Sequence, residues 1–199
     1  MVSMLLATGA AVDTPAADEH TPLVRAASED HSVATRPLLD AGADVALRGG
    51  YGRSALDCAA QGGHVDLLRE VIEHRVNLNS TSDKGTTALH LAAFFNHAAA
   101  IDALVEAGAN IKAKDNGSTP LHVAATNRSP AAVLALLKHG ASINQQNTAG
   151  NPPLHRLCSD PGQEARNRAG GGPSAEMGCG RKKMPSTENA KHRQISSGL

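Results

Sequence analysis

The sequence predicts an all-α array of stacked helical units, followed by an unstructured tail. Three observations carry that prediction. First, a short phrase recurs: Thr21-Pro22-Leu23-Val24, Ser54-Ala55-Leu56-Asp57, Thr87-Ala88-Leu89-His90, Thr119-Pro120-Leu121-His122 and Pro152-Pro153-Leu154-His155. The starts lie 33, 33, 32 and 33 residues apart. A fixed period in this range marks small units stacked in a row, not one globular core. Second, the best copies of the phrase read as a helix start, with a capping hydroxyl followed by proline or alanine. Third, aromatic residues make up only 2% of the chain, too few for a conventional large core. Ala and Leu let thin helices stack closely, and an array needs burial only between nearest neighbours.

The best-preserved copy, residues 117–144, shows how each unit builds itself. Thr119 stands where a hydroxyl can accept from a free amide of the first turn. Pro120 takes the first helical position, where its missing N–H costs nothing. Leu121, Ala124 and Ala125 follow at helical spacing and form the buried side of a short first helix. Ser129-Pro130 repeats the start signal. Val133, Leu134, Leu136 and Leu137 give the second helix its apolar face. Gly140 ends it, because glycine enters the left-handed region readily.

The same landmarks recur along the chain. Ala26-Ala27, Ala59-Ala60, Ala92-Ala93 and Ala124-Ala125 follow the phrase. Leu38-Leu39, Val71-Ile72, Leu104-Val105 and Leu136-Leu137 close the units. Gly42-Ala43, Gly108-Ala109 and Gly140-Ala141 come next, and Gly52, Gly85, Gly117 and Gly150 precede the phrase. In this register the sequence resembles the ankyrin repeat. The resemblance implies helix-turn-helix units joined by short β-hairpin fingers, the stretch from Asn144 to Gly150 being one.

In chain order, the predicted repeat domain covers 1–157. A partial repeat at 2–18 aligns Leu5-Leu6 and Gly9-Ala10 with the closing half of a unit. Full repeats follow at about 19–51, 52–84, 85–116 and 117–149, then a partial one at 150–157. The first full repeat carries Pro37 inside its second helix, expected to kink it or to cost about 3 kcal/mol. The second has Arg75 where glycine ends the others. The fifth loses the capping hydroxyl to Pro152. Residues 158–199, with Ala169-Gly170-Gly171-Gly172-Pro173, have the composition of a disordered tail.

Charge and cysteine content narrow the function. Residues 1–157 hold 12 Lys and Arg against 15 Asp and Glu, net −3, and residues 158–199 hold 7 against 4, net +3. No basic stripe marks the repeats for nucleic acid. Cys58, Cys158 and Cys179 form no C-x-x-C pair, which suits a reducing compartment. The N-terminus lacks a signal-peptide pattern, and no run reaches the roughly 20 apolar residues of a membrane span. A cytoplasmic monomer is expected, with the nucleus as an alternative through Arg181-Lys182-Lys183. Asn79-Ser80-Thr81 and Asn116-Gly117-Ser118 match the glycosylation sequon, an accidental match without a secretory route.

Catalytic patterns are missing. No G-x-S-x-G, H-E-x-x-H or G-x-x-x-x-G-K-[ST] occurs. His90, His122 and His155 recur one per unit, too far apart to share a tetrahedral metal. The resemblance implies imidazoles bonded to backbone near the fingers. A non-enzymatic chain without cofactor or metal is expected.

The resemblance also implies a protein partner, met by fingers and by exposed positions of the first helices on a concave face. Those helix positions are Ser28-Glu29, Gln61-Gly62, Phe94-Phe95 and Thr126-Asn127. Phe94 and Phe95 are the only two Phe of the chain, and exposed aromatics make strong interface anchors. The competing reading folds one ring against the neighbouring unit. Candidate finger-tip residues are Arg48, Tyr51, Asp83, Lys84, Lys114, Asp115 and Asn147. Two alternatives stand beside the binding module: a piece or accessory of a larger ankyrin-containing enzyme, channel or signalling protein, and a purely structural scaffold.

Overall fold

The computed structural model describes residues 2–157, and the expected tail at 158–199 lies outside them. Ten helices follow the repeat grammar. A single outer helix, α1 (Val2–Ala7), comes first. Pairs then alternate: α2 (Pro22–Ser28) with α3 (Ser32–Asp40), α4 (Ala55–Gly62) with α5 (Val65–Glu73), α6 (Ala88–Phe94) with α7 (Ala98–Glu106), and α8 (Pro120–Thr126) with α9 (Pro130–Lys138). Helix α10 (Pro153–Leu157) opens the next unit. Inner helices α2, α4, α6, α8 and α10 stack in one row, and outer helices α1, α3, α5, α7 and α9 in a second.

Most of the expected alanine and leucine pairs form the core, but Leu134 and Leu137, expected on the apolar face of α9, are 70% and 39% exposed. Leu23, Leu56, Leu89 and Leu121 are buried, as are Ala27, Ala60, Ala93 and Ala125 and the closing Leu38, Val71, Leu104 and Leu136. Leu154 holds the equivalent place in α10 yet is 65% exposed, against 4% for Leu121. No described outer helix covers it.

Paired strands appear in one finger, where β1 (Arg48–Gly49) and β2 (Arg53–Ser54) run antiparallel with Arg48 opposite Ser54. A single bridge, Asp115 to Ser118, marks another finger. The turns between paired helices need a left-handed residue, supplied by Asp30, Gly63, Asn96 and Arg128 at φ between 53° and 72°. Arg75 does take the left-handed conformation, φ 57°, where Gly42, Gly108 and Gly140 sit in the other units. Pro37 does not break its helix, for α3 runs from Ser32 to Asp40 through it. The proline removes a bond to the carbonyl of Val33, whose residue is 89% exposed, so water can take up the free acceptor.

Ion pairs join successive outer helices. Arg36 meets Glu70 at 3.0 Å, Arg69 meets Glu106 at 3.9 Å, and Asp102 meets Lys138 at 3.5 Å and His139 at 2.7 Å. These pairs are wholly or partly exposed, so each contributes little.

Candidate interaction surface

Inner helices α2, α6 and α8 stop one residue beyond their alanine pair and α4 stops two beyond, and their C-termini form a row across four units. Phe94 ends α6 and Phe95 caps it. Their rings meet edge to face, centroids 4.9 Å apart and planes 65° apart. Both residues are half-buried, so each ring packs on its neighbours and keeps part of its surface in water. Phe95 also stacks on His97, 6.4 Å away at 19°.

His97 fixes that stack to the unit before it. Its Nε2 donates to the carbonyl of Gln61 at 3.0 Å. The Gln61 side chain accepts from Arg53, which is itself buried. On the other side, Ser129 donates to the carbonyl of Phe94 at 3.3 Å, and Asn96 accepts from the amide of Ala132 at 2.9 Å. Asn127 folds its amide back onto the carbonyl of Val123, 2.9 Å, and both it and Thr126 are half-buried. The aromatic pair therefore stands on a platform tied to units two and four.

The expected finger residues divide into two groups. Tyr51 is 57% exposed at the tip, with φ 63°. Asp83, Lys84 and Lys114 are exposed as well. Arg48 is exposed, bonds the carbonyl of Gly52 and lies 3.9 Å from Asp57. Asp83 lies against Gly52 of the preceding finger, filling the space a Cβ there would need. Asp115 and Asn147 are placed differently: both are buried. Asp115 accepts from the Thr86 hydroxyl at 2.7 Å and from the Asn116 amide at 3.0 Å. Asn147 accepts from the amides of Ala149 and Asn151, both at 3.0 Å. Their polar groups hold the fingers together instead of facing outward.

Beneath the fingers the histidines form interunit bridges. His122 Nδ1 receives the backbone N–H of Thr119 at 3.2 Å, and its Nε2 lies 2.9 Å from the Asn151 carbonyl. An amide can only donate and a carbonyl can only accept, so the ring is neutral with its proton on Nε2. The Thr119 hydroxyl donates to the same Nδ1, 2.8 Å away, and the Thr119 N–H on His122 is the capping-box bond with histidine in the usual Glu/Gln place. His90 repeats the pattern with Thr87 and with Ser118, 3.1 Å from its Nε2. Burial holds the His90 pKa below the usual histidine value, against the opposing pull of the Ser118 carbonyl. No cluster of three or more His, Cys, Asp or Glu suited to a metal occurs among the described residues.

A second histidine row escaped the sequence reading: His31, His64 and His97, again 33 residues apart. They precede α3, α5 and α7. His64 lies 3.4 Å from Asp30 of the preceding unit, as His97 reaches back to Gln61. The shared spacing was the signal available.

Comparison with known proteins agrees with this architecture. The family model for ankyrin repeats (three copies) matches residues 1–82, 35–115 and 58–147. The chain is 32% identical over 97 residues to the nuclear factor NF-kappa-B p105 subunit of Rattus norvegicus, which covers 47% of this chain and 10% of that protein. It is 34% identical over 80 residues to a probable E3 ubiquitin-protein ligase, XBOS32, of Oryza sativa subsp. japonica, covering 40% of this chain and 16% of the relative. The chain thus spans less than a fifth of either relative. No helix of the described residues is long and apolar enough to cross a membrane. With most of its length matched by repeats that serve generally as protein-interaction modules, this chain belongs to the ankyrin-repeat family.

Proposed function

We propose that this chain is a non-enzymatic, monomeric binding module that grips a protein partner between its fingers and the C-termini of its inner helices. The observation that carries this reading is the Phe94–Phe95 pair, edge to face at 4.9 Å and half-buried on a tied-down platform. Rings already held in place lose little ordering entropy on binding. Gln61, Thr126 and Asn127 flank the pair, and Arg48, Tyr51, Asp83, Lys84 and Lys114 edge the finger side. Asp115 contributes by shaping its finger. The expected compartment is the cytoplasm, with the nucleus as the alternative.

Affinity capture with the whole chain, compared with a Phe94→Ala/Phe95→Ala variant, tests the reading. Proteins retained by the wild type and lost from the variant support it, provided the circular dichroism melt is nearly unchanged. An identical capture profile from a folded variant rejects the groove as the binding surface.

The small fraction of each relative that the chain covers favours a second reading, in which these repeats serve a larger protein. Transcript sequencing across the Met1 region tests it: an in-frame repeat half upstream supports it, and an in-frame stop codon argues against it.

A further inference from the structure

One joint of the array breaks the histidine rule. In the second unit the phrase reads Ser54-Ala55-Leu56-Asp57, which puts a carboxyl where the third and fourth units carry His90 and His122. Asp57 is fully buried. Its Oδ2 accepts from the Ser54 amide at 3.0 Å and the Ser54 hydroxyl at 2.9 Å, as the histidine Nδ1 does in its own first turn. Its Oδ1 is buried and has no partner.

The acceptor waiting on the far side is equally regular. Ser118 and Asn151 each use one carbonyl lone pair on their own finger, from Asp115 N–H and Asn147 N–H, and give the other to the histidine of the preceding unit. Thr86 holds the same place in the finger between units two and three. Its carbonyl accepts the Ser82 N–H at 2.9 Å. In the repeat frame the Thr86 carbonyl is the counterpart of those of Ser118 and Asn151, and Asp57 Oδ1 is the side-chain atom of this joint left buried without a partner. A buried polar atom without a partner is costly.

The geometry points to Asp57 as a carboxylic acid that keeps its proton on Oδ1 and donates it to the Thr86 carbonyl, a proton-dependent weld between units two and three where the neighbouring joints use histidine. The proton stays with Asp57 and is shared along the O–H···O bond, and ionisation removes it to solvent and breaks the weld. The charged groups acting on Asp57 are Arg48 of β1, 3.9 Å away, and Arg53 of β2, and both favour the ionised form. Of the helices packed on α4, α2 carries Arg25, tied to Asp18 and Glu29. Helix α6 carries neutral His90, and α5 carries Asp66, Arg69, Glu70 and Glu73. Among the charges, Arg48 and Arg53 act most strongly on Asp57. Burial is the largest influence and raises the carboxyl pKa above its ordinary value.

The sign follows. The native chain holds a proton that the unfolded chain, near pKa 3.9, has released. The weld's stability is therefore present at low pH and lost as pH rises through the native pKa of Asp57. Asp57→Asn is the natural probe, because its amide oxygen can serve Ser54 while its NH₂ donates to Thr86 at every pH. In urea unfolding of the whole chain, the Asn variant should match the wild type at low pH and unfold at higher urea above the Asp57 pKa. A variant less stable than wild type throughout, or offset by a constant amount at all pH, overturns the weld. Should the variant not fold, the ¹³C carboxyl resonance of Asp57 in the wild-type chain decides independently. A titration midpoint raised by a unit or more supports the proposal, and any smaller rise, or none, rejects it.

Discussion

His122 reaches out of the first turn of α8 and donates to the carbonyl of Asn151, 2.9 Å away in the next unit. One side chain thereby closes its own helix start and fastens the following finger. Replacing His122 by Ala strips the Thr119 amide and the Asn151 carbonyl of a partner each and leaves a cavity. A loss of about 2–4 kcal/mol is expected, read as a lower urea midpoint. A variant within 0.5 kcal/mol (roughly the effect of an ordinary surface change) would show that the bridge adds nothing.

Arg75 is the reverse case. It sits at φ 57° where the other full units place glycine. The left-handed conformation costs a non-glycine residue about 1–2 kcal/mol, and the exposed side chain makes no hydrogen bond or ion pair among the described residues that would offset it. Arg75→Gly should raise the melting temperature by several degrees, equivalent to about 1 kcal/mol. Glu19, φ 64°, precedes its phrase where the other units carry glycine, and Glu19→Gly should act likewise.

Acid should weaken the array through His90. Its native pKa lies below the usual value because burial disfavours the cation. Between that native pKa and the unfolded value near 6.5, the unfolded chain binds more protons. Stability is thus full above about pH 6.5 and falls as pH drops, by at most about 1.4 kcal/mol per pH unit from this group. His90→Gln should flatten the decline between pH 7 and 5. An unaltered slope in unfolding free energy would assign the acid sensitivity elsewhere.

Gly63 has two reasons to stay glycine. Its φ is 72°, and a Cβ there would lie 2.5 Å from Nδ1 of His97. Gly63→Ala should cost more than 1 kcal/mol (roughly the conformational penalty alone), because His97 must also leave the Gln61 carbonyl. Adding His97→Ala should recover part of the loss, since the clash then disappears while the backbone strain remains. A double-mutant cycle checks this: strict additivity of the two losses would contradict it.

The fold was legible because repetition multiplies weak signals. A single Thr-Pro-Leu-His says little, whereas five phrases at one spacing exclude any other architecture. Finger chemistry was less legible. Asp115 and Asn147 read as solvated tips because charged and polar side chains usually face water. Here Asp115 accepts from Thr86 of the preceding finger and Asn147 from amides of its own finger, and only the turn geometry reveals it. Pro37 looked like a helix breaker, but the bond it removes faces solvent, where the loss is smallest. The second histidine row shares the period of the first. It went unread because its residues lie outside the landmark phrase.

The bridges built on His90 and His122 all point one way, from the first turn of a unit to the finger carbonyl of its successor. Such an array is a zip with a direction. Losing a finger orphans the histidine of the unit before it, and losing that unit's inner helix leaves the finger's own hairpin bond in place. Fraying from the C-terminal side therefore strips each remaining unit of its clasp, while fraying from the N-terminal side spares the clasps still ahead.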